Sequence, residues 1–358
     1  MPELTDRVIP LEEPLREIRE LLIKLSSLAR VTGREAMFAP EISRIFEPYC
    51  DVVRIDPWGN VEGIINPGGK PRVMVAAHVD QIGIMVKEVT EDGYLRFDGI
   101  GWDPRVLYGS RVRLLTETGI VRGVIGPVPT HLLKVYKELE EKKIEIKDLV
   151  IDVGASSREE VEKMGIKPGT YGLPDYEPIV LGEEFFSSPG LDNAAGLSSM
   201  IHSMRLCWET RENLNAEVHF TATVQEEVGL RGAEMMSYKL KPEIALAVDV
   251  TFAKQPLLPE DLKLSLGRGP VIAKGPIYHP EVVRLIERAA EENKIPYQYE
   301  TDFRGAGTDT WVIQVARGGV KTALVSVPLR YMHSPCEVVS MRDIASCGLL
   351  LQKVLGLL

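Results

Sequence analysis

Val73-Met-Val-Ala-Ala-His-Val-Asp80 is the stretch on which the reading of the chain turns. Its five leading apolar residues predict a strand buried on both faces, and the strand runs out into His78 and Asp80. On an extended chain residues i and i+2 point the same way, so these two side chains can share one side. A metal-bound imidazole needs its second nitrogen held, commonly by a carboxylate that fixes tautomer and ring orientation. His78 as a ligand with Asp80 as its orienter is therefore the functional reading. For one strand end taken alone, an ordinary hydrogen-bonded His–Asp pair is the commoner explanation.

Three later strands end the same way. Val218 to Val224 gives Gln225, Glu226 and Glu227; Ile244 to Val248 gives Asp249; Ala323 to Val327 leads through Pro328 to His333. Ligands of open α/β sheets collect beyond the carboxyl ends of the strands. Core strands have no packing reason to end in acids and histidines together, so four such endings read as a site. Asp192, in Ser188-Pro-Gly-Leu-Asp-Asn193, is either an N-cap for the following helix or a carboxylate bridging two metals ~3.5–4 Å apart. Glu226-Glu227 sits in a largely apolar frame where two unpaired carboxylates would be costly. Successive side chains on an extended segment diverge, so one can bind a cation while its neighbour faces a bound water. A metal ligand beside a general base is what metal-assisted hydrolysis requires.

Composition narrows the class. The chain has 358 residues, which favours two domains, and 44% hydrophobic content is ample for a large core. A net charge of -10 without a Lys/Arg-rich run argues against a nucleic-acid partner. The first twenty residues carry acids throughout and no apolar core, so no signal peptide is read. No apolar run approaches the ~20 residues of a membrane span. Cys50, Cys207, Cys336 and Cys347 show no paired spacing, which predicts reduced, mostly buried thiols in a cytoplasmic protein.

Periodicity predicts helices from Leu11 to about Leu28, over Glu41–Phe46, Asp192–Trp208 and Pro280–Asn293, and at the C-terminus from Ile344 to Leu357. Strands are expected at Val52–Ile55, Val61–Ile65, Glu217–Val224, Ile244–Val248 and Thr322–Val327. Strands alternating with helices predict an α/β fold, a mixed sheet flanked by helices on both faces. Between Ile82 and about Val180 the texture changes to short strands separated by Asp-Gly and Thr-Gly turns, including Leu149–Val153, with a charged, solvated segment at Val135–Lys147. This predicts a small β-rich, barrel-like domain inserted into the main one. The expected division is 1–80 and 181–358 for the catalytic domain and 81–180 for the insert. His131, His202, His219 and His279 lack an acid-lined strand end and are read as structural. Cys336, close to His333 but without a second soft ligand, is read as packing. The run Arg304-Gly-Ala-Gly-Thr-Asp309 lacks the context of a dinucleotide fingerprint and is placed as an active-site loop.

With these residues assembled, the chain resembles the tetrahedral aminopeptidases, a family of glutamyl and deblocking aminopeptidases whose members also carry the endoglucanase label. The resemblance rests on Ala77-His-Val-Asp-Gln-Ile-Gly83, Gly190-Leu-Asp-Asn193 and Val224-Gln-Glu-Glu-Val-Gly-Leu-Arg-Gly-Ala233. Ala247-Val-Asp-Val-Thr251, Gly307-Thr-Asp309 and Arg330-Tyr-Met-His-Ser-Pro335 extend it across nearly the whole chain. It implies a zinc-exopeptidase-like fold and a site for two divalent metal ions, usually zinc or cobalt. One metal would take His78 and Asp249, the other Glu227 and His333, with Asp192 bridging; Asp80 would orient His78 and Glu226 would be the general base acting with a bridging hydroxide. It further implies peptide substrates cleaved from the N-terminus, a dimerisation role for the insert, and a homo-oligomer, commonly a dodecamer built from dimers. Gln81, Ala194 and Phe252-Ala-Lys-Gln255 depart from the family pattern and bear on substrate preference. A metal-dependent deacylase or amidohydrolase acting on modified amino acids is the nearest alternative, since the same residues would do its chemistry. A glycoside hydrolase using a carboxylate pair leaves His78 and His333 without a purpose.

Overall fold

The structure, a computed structural model, describes residues 12–133, 143–259, 263–303 and 307–358. Strands β1 (Val52–Ile55), β2 (Val61–Ile65) and β3 (Arg72–His78) open the main sheet. β4 (Ile84–Val89), β5 (Leu95–Gly99), β6 (Arg111–Thr116), β7 (Gly119–Val124) and β8 (Tyr171–Pro174) form a second one. The chain then returns through β9 (Ile179–Leu181), β10 (Phe185–Ser188), β11 (Glu217–Thr223), β12 (Ile244–Phe252), β13 (Val271–Lys274), β14 (Gln298–Thr301), β15 (Lys321–Arg330) and β16 (Glu337–Ser340). The main sheet runs β1-β2-β11-β3-β12-β15-β16-β10-β9, with β13 pairing β15 and β14. Its centre, β11-β3-β12-β15, is parallel throughout. These are the four strands expected to end in site residues, and they are direct neighbours.

Both faces of that centre are covered, which explains the unbroken apolar runs of β3 and β12. Val73, Val75 and Ala77 of β3 join the large core shared with helices Glu12–Ser27, Leu191–Glu209, Pro280–Asn293 and Met341–Leu355. The alternate residues Met74 and Ala76 pack on the other face, against Ala233, Met236 and Leu240 of helix Arg231–Leu240 and Ile313 of helix Thr310–Val315.

The second sheet is antiparallel, in the order β5-β4-β8-β6-β7, with its own core around Ile84, Phe97, Leu114 and Ile151. Leu149–Val153, expected as a strand, is not one. Ile151 instead bridges Leu95 of β5 while Asp152 bridges Val124 of β7. The segment joins the two edges of the sheet and gives the barrel-like closure. β9 and β10, which flank the end of the expected insert, pair in the main sheet. Most of the charged segment Val135–Lys147 lies outside the described residues, as does the chain start. Among the described residues no helix is long and apolar enough to cross a membrane.

Candidate metal centre

His78 is the last residue of β3, and its register partner on β11 is Thr223. Beyond Thr223 the chain turns through Gln225, at φ 54°, into Glu226 and Glu227. Asp249 lies on β12 opposite Ser326 of β15, and His333 follows three residues after β15 ends. Asp192 sits just inside the helix Leu191–Glu209 but departs from helical geometry, at φ -78° and ψ 101°. That departure turns its carboxylate out of the helix. Oδ1 lies 3.2 Å from His78 Nε2 and Oδ2 lies 3.2 Å from His333 Nε2. Asp249 Oδ1 is 3.6 Å from the same His78 nitrogen, and Glu227 Oε2 is 3.5 Å from His333 Nε2. Two three-residue groups result, His78–Asp192–Asp249 and Asp192–Glu227–His333, sharing Asp192, with ligand atoms of each within 4.8 Å of one another. Glu226 reaches 4.0 Å from His78 Nε2 and belongs to neither group. The capping that sequence offered to Asp192 is done by its neighbour: Asn193 Oδ1 accepts the Gly196 amide at 2.9 Å.

Asp80, read from sequence as the orienter of His78, is joined by supports that the sequence did not mark, Glu337 and Arg30. Asp80, fully buried, accepts the amides of Glu226 and Glu227 at 3.1 and 3.3 Å, while its Oδ1 stands 3.7 Å from His78 Nδ1. The nearer group to that nitrogen is the Asp80 carbonyl oxygen, at 3.2 Å. Glu337, buried at the start of β16, accepts the amides of Leu191 and Asp192 at 2.6 and 3.2 Å through Oε2, and that of His333 at 2.7 Å through Oε1. One side chain thus holds the backbone of Asp192, which the two groups share, and of His333. The buried Arg30 donates to the carbonyls of Leu25, Val79 and Gly190, joining the loops that carry His78 and Asp192. Gly190 has φ +71°, and a Cβ there would come 1.7 Å from the Gln81 amide oxygen, so a larger residue would strain the backbone and displace Gln81 where these loops meet. Gln255 Oε1 accepts the Tyr331 amide at 2.7 Å, which gives the unusual Phe252–Gln255 segment a part in shaping the His333 loop.

The electrostatics are those of an acid-rich pocket short of cations. Burial raises Glu226 to about 10, with Asp249, Asp309 and Glu227 adding to the rise and His78 opposing it. Burial and Asp192 together hold Glu227 well above the usual glutamate range, and burial also raises Asp249. Burial works against ionisation of Asp192 too, but the two imidazoles prevail and pull it below the usual range. Glu227 Oε1 is buried without a hydrogen-bond partner. Three carboxylates and two imidazoles, one carboxylate oxygen among them unsatisfied, form a nitrogen/oxygen donor set that suits divalent metal ions.

The cluster floors a cleft of about 690 Å³, whose walls include Thr251, Glu300, Asp302, Trp311, Ser326 and Met332. Gly307 and Thr308 of the glycine loop line it, and Asp309 accepts from Thr223 Oγ1 at 2.6 Å; Arg304–Ala306 lie outside the described residues. The other histidines stand apart. His219 is held in β11 between Glu62 and Glu217, at 2.7 and 2.9 Å, and burial lowers His202 to about 4. Cys50, Cys207 and Cys347 are buried, but Cys336 is exposed. Its expected role in packing is thereby corrected: the loop that swings His333 into the cleft carries Cys336 to the surface.

Comparison with known proteins matches residues 59–350 to the M42 glutamyl aminopeptidase family. The lysyl aminopeptidase of Pyrococcus furiosus is 40% identical, over 91% of this chain and 93% of that protein. Among solved structures, an aminopeptidase from Desulfurococcus kamchatkensis is 37% identical with a TM-score of 0.87, covering 95% of this chain and 94% of that one. The Pyrococcus horikoshii TET1 peptidase, described as assembling into a tetrahedron or a large octahedral shell, is 33% identical with a TM-score of 0.83, over 94% and 98% of the two chains.

Proposed function

Because the chain belongs to the M42 aminopeptidase family, a family of metal-dependent aminopeptidases, we propose that it removes N-terminal residues from peptides with two divalent metals and Glu226 as general base. The observation that carries this reading is Asp192, whose two carboxylate oxygens each lie 3.2 Å from the Nε2 of a different histidine. His78, Asp192 and Asp249 would hold one metal; Asp192, Glu227 and His333 would hold the other. Bound there, the metals would supply Lewis acidity toward the scissile carbonyl and the attacking water.

The chain's own residues do the rest. Glu226 lies in the cleft beside the ligands without joining either group, which leaves its carboxylate for proton transfer; two cations held by its neighbours would offset the burial that raises its pKa and keep it ionised. It takes the proton from the attacking water and passes it to the leaving amine as the peptide bond breaks. Asp80 holds the turn that presents Glu226 and Glu227, so base and ligand keep a fixed separation. We read the β4–β8 module as the dimerisation domain and the protein as a homo-oligomer; the support is the likeness to the shell-forming TET1 peptidase. Chelator treatment followed by zinc, cobalt or manganese, assayed on aminoacyl chromogenic substrates, tests the function. Loss and rescue of turnover is expected; turnover indifferent to the chelator would refute it.

A further inference from the structure

Strand register brings a second acidic wall into the cleft. Asp249 on β12 pairs with Ser326 on β15, Ser326 pairs with Val271 on β13, and Ala273 on β13 pairs with Glu300 on β14. Paired residues share a sheet face, and so do residues two apart. Asp249, Thr251, Leu324, Ser326 and Glu300 therefore project from one face, and all five line the cleft. Thr251 Oγ1 donates to Glu300 Oε2 at 2.8 Å, tying this carboxylate to the strand of a metal ligand. A neutral donor fixes the group and leaves its charge in place.

Six carboxylates face the cleft: Asp192, Glu226, Glu227, Asp249, Glu300 and Asp302. Metal binding and proton transfer use the first four. No lysine or arginine is among the described residues lining the cleft, and Lys274, on the strand beside Glu300, turns to Glu287 at 2.6 Å. Ser326 provides an independent sign. It is 1% exposed, it lines the cleft, and its Oγ has no hydrogen-bond partner. Leu324, Trp311 and Met332 add apolar wall nearby.

We propose that this wall receives the first side chain of the substrate and selects lysine or arginine, the cation meeting Glu300 and Ser326 Oγ while its aliphatic stem lies along the apolar residues. The inference rests on the aminopeptidase reading above. Long basic side chains are suited to such a site because their stems are apolar and only their ends are charged. An N-terminal leucine would leave the Glu300 charge unpaired, and an N-terminal glutamate would oppose it.

The test is a panel of Lys-, Arg-, Leu- and Glu-p-nitroanilides on the metal-loaded protein. The Lys and Arg substrates should exceed Leu and Glu in kcat/KM by about tenfold or more. Glu300→Gln should lower the Lys:Leu selectivity by roughly 10- to 100-fold, chiefly through KM, because a charge-assisted contact is lost. Glu300→Lys should shift preference toward the Glu substrate. A wild-type preference for Leu or Glu, or selectivity unmoved in both variants, would overturn the pocket and leave the aminopeptidase reading standing. Turnover of none of the four with zinc, cobalt or manganese would overturn that reading and this inference with it.

Discussion

Asp80 receives the backbone amide of Glu226 at 3.1 Å, and the same carboxylate takes the next amide, that of Glu227, at 3.3 Å. A residue at the end of β3 thereby sets the turn that follows β11. Asp80→Asn turns one acceptor into a donor and sets it against an amide. Supporting partners of a metal site are commonly worth about 10- to 100-fold in affinity or activity. A loss of that size is expected here, read as metal content after dialysis and as kcat. Unchanged values would mean that the turn holds itself.

Glu226 and Asp192 should separate chemistry from binding. Glu226→Gln keeps its shape but takes no proton, so metal stoichiometry should persist while kcat falls by about 10²- to 10⁴-fold. Asp192→Asn removes the charge common to both groups and should lose metal as well as turnover. Metal analysis by mass spectrometry beside initial rates distinguishes the two. Near-native turnover in Glu226→Gln would remove it as the base.

Glu337 was not legible as a site residue, and the reason is topological. Acids and histidines beyond the carboxyl ends of strands mark the site on the parallel neighbours β11, β3, β12 and β15. β16 runs antiparallel to β15, so its first residue, not its last, reaches the same rim. Arg30 was hidden differently: nothing local marks it, and it acquires meaning only through carbonyls 49 and 160 residues away. Asn193, overlooked beside Asp192, is the residue that does the capping. β3 and β12 were legible because burial on both faces leaves a continuous apolar run, and β11 was legible although His219, Thr221 and Thr223 interrupt it. β13 and β14 were missed because four-residue strands with polar members, such as Gln298–Thr301, carry neither a run nor a clean alternation. Glu337→Gln should weaken both groups at once, by about 10- to 100-fold in metal affinity, and metal titration of the apo protein would show it.

His202 gives a pH prediction away from the cleft. Burial, with Arg205 adding to it, lowers its pKa from 6.5 to about 4. The unfolded chain binds this proton below about 6.5, and the folded chain does so only near 4. The unfolded state therefore holds more protons in that window, and stability falls as pH drops through it, by about 3 kcal/mol at most. Above 6.5 the contribution is complete and flat. His202→Leu removes it, so the stability of the wild type relative to this variant should decline between pH 6.5 and 4 in urea melts. A difference independent of pH would contradict the assignment.

Arg30 is the severest test of the framework under the cleft. Its side chain is fully buried, with Nε donating to Leu25 O at 3.0 Å and the two terminal nitrogens to Val79 O and Gly190 O at 2.8 and 2.7 Å. Burial lowers its pKa to about 10 while Asp80, Glu337 and Asp192 favour its charge, so it remains a cation at neutral pH. Arg30→Lys keeps the charge but cannot span three carbonyls in different directions. Arg30→Met keeps much of the volume and leaves both the carbonyls and the nearby carboxylates without their cation. Breaking a buried charge arrangement from one side costs about 3–5 kcal/mol, so Arg30→Met should be the less stable of the two in urea melts. Added zinc should recover part of that loss, because divalent cations restore positive charge to the same carboxylates. Equal stability of the two variants, with no response to zinc, would show that Arg30 acts through packing and not through charge.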